Sequence, residues 1–158
     1  MIVAELERTV ETGLVRRAAG GARAAAVRAI RGATTVPEVP EPTDEVGALC
    51  ESTRELLAAM LERNGVRQED LISAVFTVTA ELTSAFPALA AREMGWGEVP
   101  LLCALEIPVP GALPRCVRVL LHVASGRPRA AVEHVYLRQA VALRPDLVRA
   151  GGAATDAA

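Results

Sequence analysis

Several residues able to carry charge chemistry stand in segments that otherwise read as buried strand. The sharpest case is CVRVLLHV, residues 116–123, where Arg118 sits among valines and leucines. An arginine is almost never buried without a partner. Strand alternation sends Val117, Val119, Leu121 and Val123 to one face and Cys116, Arg118, Leu120 and His122 to the other. The first set reads as core, the second as the wall of a cavity or an interface. Arg31 in VRAIRGATTV, Cys103 and Glu106 in VPLLCALEI, Tyr136 in HVYL and Arg144 in ALRPDL offer similar material. Singly, each has an ordinary explanation. Arg31 is a capped surface cation, Arg118 and Glu106 an ion pair at a subunit contact, Tyr136 a core residue with a satisfied hydroxyl, and Arg144 solvated. Together they are a different proposition: arginines that converge without compensating acids suit a small polyanion, because guanidinium forks match carboxylates.

Schemes that need a nucleophile find little support. The chain has no GxSxG, no phosphate-cradling glycine loop and no Cys–His pair that the pattern can place. Glu106 has no second carboxylate at a motif spacing. Positioning and electrostatics remain as the mode of catalysis. Cys50, Cys103 and Cys116 are odd in number and lack CxxC spacing, so neither a disulfide framework nor a zinc site is expected. A reducing, cytoplasmic setting fits them best. His122 and His134 lack ligand partners and read as ordinary strand residues, and no metal is expected.

The elements that would position these groups follow from periodicity. Residues 27–36 read as a strand, and VPEVPEP as a linker. Thr43 is placed to cap a helix whose first turn holds Asp44 and Glu45, where the helix dipole favours acids. Val46, Leu49, Cys50, Thr53, Leu56, Leu57, Met60 and Leu61 recur at helical spacing, and Asn64-Gly65 stops the helix. LISAVFTVTA is a buried strand, SAFPALAAREMGW a short helix, VPLLCALEI and CVRVLLHV strands, and HVYLRQAVALRP a last strand with an interruption near Arg138. The sum is five strands, one long helix and one short helix, an α/β (α+β) architecture. One long helix cannot cover both faces of such a sheet, so the other face meets solvent or another subunit. The apolar content favours a subunit.

Composition agrees with a folded domain and narrows its partners. Of 158 residues, 51% are hydrophobic and 23% charged, with a net charge of −2, which provides no basic field for nucleic acid. No apolar run approaches the ~20 residues of a membrane helix, and Glu5, Glu7 and Glu11 interrupt any secretory signal. Residues 1–25 read as a disordered or loosely helical extension, 26–147 as the domain, and 148–158 as a mobile tail.

Several stretches carry a family resemblance: IRGATTV (30–36), TRELLAAMLERNG (53–65), AFPALAARE.GW (85–96), VPLLCALEI (99–107), LPRCVRVLLHV (113–123) and HVYLRQAVALRPDL (134–147). In this order they resemble the monofunctional chorismate mutases of the trimeric pseudo-α/β-barrel class, over about residues 27–147. The resemblance implies a homotrimer with active sites at subunit interfaces, and a cofactor-free Claisen rearrangement of chorismate to prephenate in phenylalanine and tyrosine biosynthesis. It also implies roles. Arg31 and Tyr136 would bind carboxylate, Arg118 would face the ether oxygen, and Glu106 would accept from the ring hydroxyl. Leu102, Cys103, Ala104 and Leu105 would form the binding segment with Glu106, Arg144 would lie near a closing tail, and Phe86, Ala88 and Arg92 would form a short-helix wall. Ala29, Leu89 and Leu102 depart from the family pattern. The alternative expectation is a non-catalytic trimeric binder of small anionic metabolites on the same scaffold.

Overall fold

The computed structural model describes residues 24–147. Five strands form one mixed sheet: β1 (Ala26–Thr35), β2 (Leu71–Val78), β3 (Leu101–Leu105), β4 (Cys116–Ser125) and β5 (Val135–Tyr136), in the order β3-β2-β4-β1-β5. Strand β4 runs antiparallel to both of its neighbours, β1 and β2, while β2–β3 and β1–β5 pair in parallel. Two helices, α1 (Glu45–Asn64) and α2 (Ala88–Glu93), complete the α+β architecture.

Alternation along the strands decides which face is core. Ile30 of β1, Ala74 and Phe76 of β2, and Val119, Leu121 and Val123 of β4 are buried with Leu56, Leu57 and Met60 of α1 and Ala88 and Ala91 of α2. Trp96, just past α2, closes this core at 1% exposure. Among the described residues the opposite face has no α-helix over it, only the 3-10 helix Arg138–Leu143 against its Ala33–Cys116 end. There Arg31, Leu120, Leu102 and Ala104 are exposed, and Val75, Thr77, Arg118 and His122 are half-buried. The register fixes this face: Arg31 pairs with Leu120, Ala33 with Arg118 and with Tyr136, and Thr77 with Arg118. Cys116 shares the open side in strand parity but is fully buried, because Ala33 and Ala140 pack over it.

Helix α1 ends as its Asn64-Gly65 pair dictates. Gly65 adopts φ 58°, its N–H reaches Glu62 O, and the Val66 N–H reaches Leu61 O, which satisfies the last carbonyls of the helix. Asn64, 3% exposed, does more than precede the stop. Its Nδ2 donates to Glu133 O and its Oδ1 accepts from the Glu133 N–H, which ties the helix end to the segment entering β5. The start of the helix differs from expectation. Thr43 lies inside a 3-10 turn, Pro42–Asp44, and α1 begins at Glu45 with no side-chain cap. Pro42 pre-sets the turn, since its fixed φ and missing N–H suit a first helical position. The last strand is also shorter than expected. Leu137 donates to Ala33 O, Arg138 takes φ 52°, and the chain continues as a 3-10 helix, Arg138–Leu143. Arg138 uses that turn to reach Thr35 O, Ser52 Oγ and Glu55 Oε2.

Gly32 is where β1 and α1 approach most closely. A β-carbon there would run into Met60 Sδ and come within 3.1 Å of Leu56 Cδ1, both fully buried. Gly32→Val is expected to destabilise the fold by about 1–3 kcal/mol through overpacking. A thermal melt should show a midpoint several degrees lower, at about 2–4 °C per kcal/mol for a chain of this size. An unchanged midpoint would refute the close-packing account.

Candidate active site

On the open face of the sheet lies a cleft of about 470 Å³. Its walls bring together Arg31 of β1, Thr77 of β2, Arg118 of β4, Tyr136 of β5, and Arg144 just past the 3-10 helix. Four of the residues singled out by sequence thus meet in one place, drawn from segments far apart in the chain. A larger cleft of about 660 Å³ lies alongside and shares Arg31 and Leu120, but lacks Arg118, Tyr136 and Arg144. The smaller one is the better candidate because the chemistry is there.

Glu106 follows the end of β3, and its N–H bonds to Val78 O at 2.9 Å. That turns its carboxylate toward β4, where Oε1 lies 2.9 Å from Arg118 Nε. The contact is ionic only. The Nε–H does not point at the oxygen, and Nε is buried without a hydrogen-bond acceptor. The Glu106 side chain is 13% exposed and that of Arg118 43%, so the carboxylate is mostly buried and is not among the residues lining the cleft, while part of the guanidinium reaches it. Thr77 Oγ1 donates to the same Oε1 at 2.7 Å.

Arg144 is paired as well. Its Nε and a terminal nitrogen grip Asp146 in a two-pronged contact of 2.9 and 2.7 Å, and this bond holds the Asp146 carboxyl down at about 2. The expectation of arginines without compensating acids therefore needs correction: Arg118 and Arg144 each face a carboxylate of their own chain. The correction is informative, since Arg144 already displays the geometry that receives a carboxylate. Arg31 is exposed, and its backbone N–H donates to His134 Nδ1 at 3.1 Å. Burial, then the Arg31 and Arg144 charges, push the His134 pKa down, so the imidazole is neutral and its proton sits on Nε2. Burial pushes the Cys116 thiol up, against the opposing effect of Arg118, which leaves it protonated and a poor nucleophile.

Other expected residues stand elsewhere. Leu102 and Ala104 lie exposed on edge strand β3, two strands from Arg118. Cys103 packs against the helix-covered core, and Leu105 is 67% exposed. Phe86 is 70% exposed before α2, Ala88 is buried in the core, and Arg92 is exposed on α2. None of these lines the cleft of its own chain. Sequence reasoning passed over Thr77 and read His134 as an ordinary strand residue. The available signal for Thr77 was a hydroxyl in the alternate set Ser73, Val75, Thr77 of an apolar strand. For His134 it was a histidine two residues before a candidate tyrosine, on the same strand parity. Among the described residues, no group of three or more His, Cys, Asp or Glu is arranged to hold a metal ion, and no helix is long and apolar enough to cross a membrane.

Comparison with known proteins agrees with the geometry. The family model "Chorismate mutase type I" matches residues 27–147. Chorismate mutase AroH of Thermus thermophilus is 56% identical over 122 residues, covering 77% of this chain and 96% of the relative. Chorismate mutase AroH of Bacillus subtilis (strain 168) is 39% identical over 122 residues, covering 77% and 92%. A solved chorismate mutase from Clostridium thermocellum superposes with a TM-score of 0.68 at 45% identity, covering 72% of this chain and 97% of that one. With its match running from the start of β1 to the end of the described chain, the protein belongs to the type I chorismate mutase family.

Proposed function

We propose that this chain, as a chorismate mutase, binds chorismate in the cleft between Arg118 and Tyr136 and rearranges it to prephenate without covalent attachment, serving phenylalanine and tyrosine synthesis. The observation that carries the reading is Arg118, a cation on the middle strand whose guanidinium partly reaches the cleft, with an acceptor, Glu106, directly beside it. In the rearrangement one C–O bond breaks and one C–C bond forms within the same molecule, so no proton or electron has to be supplied. The substrate is a flexible dianion. Its enolpyruvyl arm reacts only when folded over the ring, and Arg31, Tyr136 and Arg144 are placed to hold its carboxylates so that this freedom is already lost on binding. Arg144 would exchange Asp146 for a substrate carboxylate of the same shape.

As the C–O bond breaks, negative charge grows on the ether oxygen. A cation fixed at that point favours the transition state over the ground state. The exposed part of the Arg118 guanidinium, which lines the cleft, is where a ligand oxygen would meet that cation. Glu106 would receive a hydrogen bond from the ring hydroxyl and balance the Arg118 charge beside it. Arginine stays protonated at any working pH, so this scheme asks for no titrating group.

The open sheet face, with Leu120, Leu102 and Arg31 exposed, is the surface on which a homotrimer would assemble. Leu102 to Leu105, Phe86, Ala88 and Arg92 would then contribute to clefts at subunit boundaries rather than to the cleft of their own chain. Three cysteines that form no disulfide among the described residues suit a reducing, cytoplasmic setting. Residues 26–147 would be the working domain; the extension expected over 1–25 and the tail expected over 148–158 fall outside the described residues, apart from residues 24 and 25.

Two outcomes follow. Arg118→Ala should lose about 4 kcal/mol or more of transition-state stabilisation while keeping its fold and native mass, read from the decline of chorismate ultraviolet absorbance. Arg118→Lys should stay poor, because a shorter point charge cannot replace the fork. Near-normal turnover in either variant would remove Arg118 from its role. A chain lacking residues 1–25, which leaves β1 whole, should keep its activity and elute with the mass of three chains. Loss of that mass would assign the extension to assembly.

A further inference from the structure

The mechanism just described needs Glu106 to stay in place while Arg118 serves the ether oxygen, and the present inference rests on that reading. A carboxylate at the end of a flexible stem keeps one orientation only if something holds it. The ionic contact with Arg118 does not do so, because it lacks hydrogen-bond direction. Moreover, Glu106 stands beyond the last residue of β3, where the β2–β3 ladder no longer constrains it.

Strand β2 supplies the missing hold. The Val78 carbonyl takes the Glu106 backbone N–H at 2.9 Å, and the adjacent Thr77 donates its hydroxyl to Glu106 Oε1 at 2.7 Å. Thr77 sits opposite Arg118 in the β2–β4 register and lines the cleft. Both side-chain contacts to the carboxylate, from Thr77 and from Arg118, fall on Oε1, and among the described residues Oε2 has none. Threonine suits the task. Branching at Cβ restricts its rotamer and favours a strand, and a hydroxyl donated to an ionised carboxylate makes a strong, short bond.

We propose that Thr77 is a positioning residue for the reaction: its hydroxyl fixes the Glu106 carboxylate through Oε1, so that Oε2 meets the ring hydroxyl of the substrate and stays there while Arg118 serves the ether oxygen. The plain alternative is that Thr77 is a strand residue whose hydroxyl has found a neighbour. Variants separate the two. Thr77→Val keeps shape, branching and strand preference and loses only the hydroxyl, whereas Thr77→Ser keeps the hydroxyl. Thr77→Val should lower kcat/KM about tenfold, chiefly through kcat, with an unchanged thermal midpoint. Thr77→Ser should recover most of the loss. In a Glu106→Ala background the same Thr77→Val change should cost nothing more, since the group it positions is gone.

The proposal is overturned if Thr77→Val stays within about twofold of the parent, or if its loss persists undiminished in the Glu106→Ala background, because coupled residues must be non-additive. Should Thr77→Val fold poorly, Thr77→Ala compared with Thr77→Ser gives the same reading. Glu106→Ala alone distinguishes the two levels of failure. If that variant is nearly unimpaired, the role of Glu106 is wrong and Thr77 falls with it. If it is crippled while Thr77→Val is not, only Thr77 is misassigned.

Discussion

A guanidinium lowers a barrier only if it is fixed before the charge it serves appears, and the placing of Arg118 governs the rest of this structure. It lies on β4, the middle strand of five, held on one side by β1 and on the other by β2. Val117 and Val119 flank it and are buried on the helix side, so the apolar drive that packs the valines also turns the arginine outward. The hydrophobic core and the charged cleft are two faces of one alternation. Placing Arg118 on the buried face would require shifting β4 by one residue, which would also expose its core set.

Around that fixed point the other groups are held by different means. Arg31 is set by the β1 ladder and by His134, which accepts its backbone N–H where the short β5 offers no partner. Tyr136 depends on two residues of pairing and on the Asn64–Glu133 tie from the end of α1. Glu106 depends on β2 rather than on its own strand. The cleft is thus a set of side chains whose backbones are bonded at or within a few residues of each one, and rigidity of that kind is what preorganised electrostatics demands.

Much of this was legible in the sequence, and the gaps have physical causes. Period-two alternation located the core face of β4, and period-3.6 spacing located α1, because both read directly from burial. The motif IRGATT pointed to Arg31, and Gly32 within it proves to be the place where α1 leaves no room for a β-carbon. What local pattern does not encode is long-range pairing. Thr77 and Glu106 are 29 residues apart and on different elements, so no spacing rule joins them. Glu106 was read as a possible ion partner of Arg118, and it is one; the acid that was overlooked is Asp146, only two residues beyond Arg144 in a turn. The interruption expected near Arg138 is there, because Arg138 adopts a left-handed backbone, which is uncommon outside glycine and is held here by its three side-chain contacts; what escaped is that a 3-10 helix, not more strand, follows it.

The order of the strands has one more consequence. The first strand of the sheet lies between β4 and β5, the last two to be made, and the bond from Arg31 to His134 spans 103 residues. Contacts of such high sequence separation carry a loop-closure cost that must be met before they return any stability. The cleft therefore cannot exist on a partly formed sheet: Arg31 and Tyr136 become neighbours only when the end of the domain has docked on its beginning. Binding capacity and the completed fold arrive in the same step, and a chain emerging from the ribosome holds no site until nearly all of it has been made.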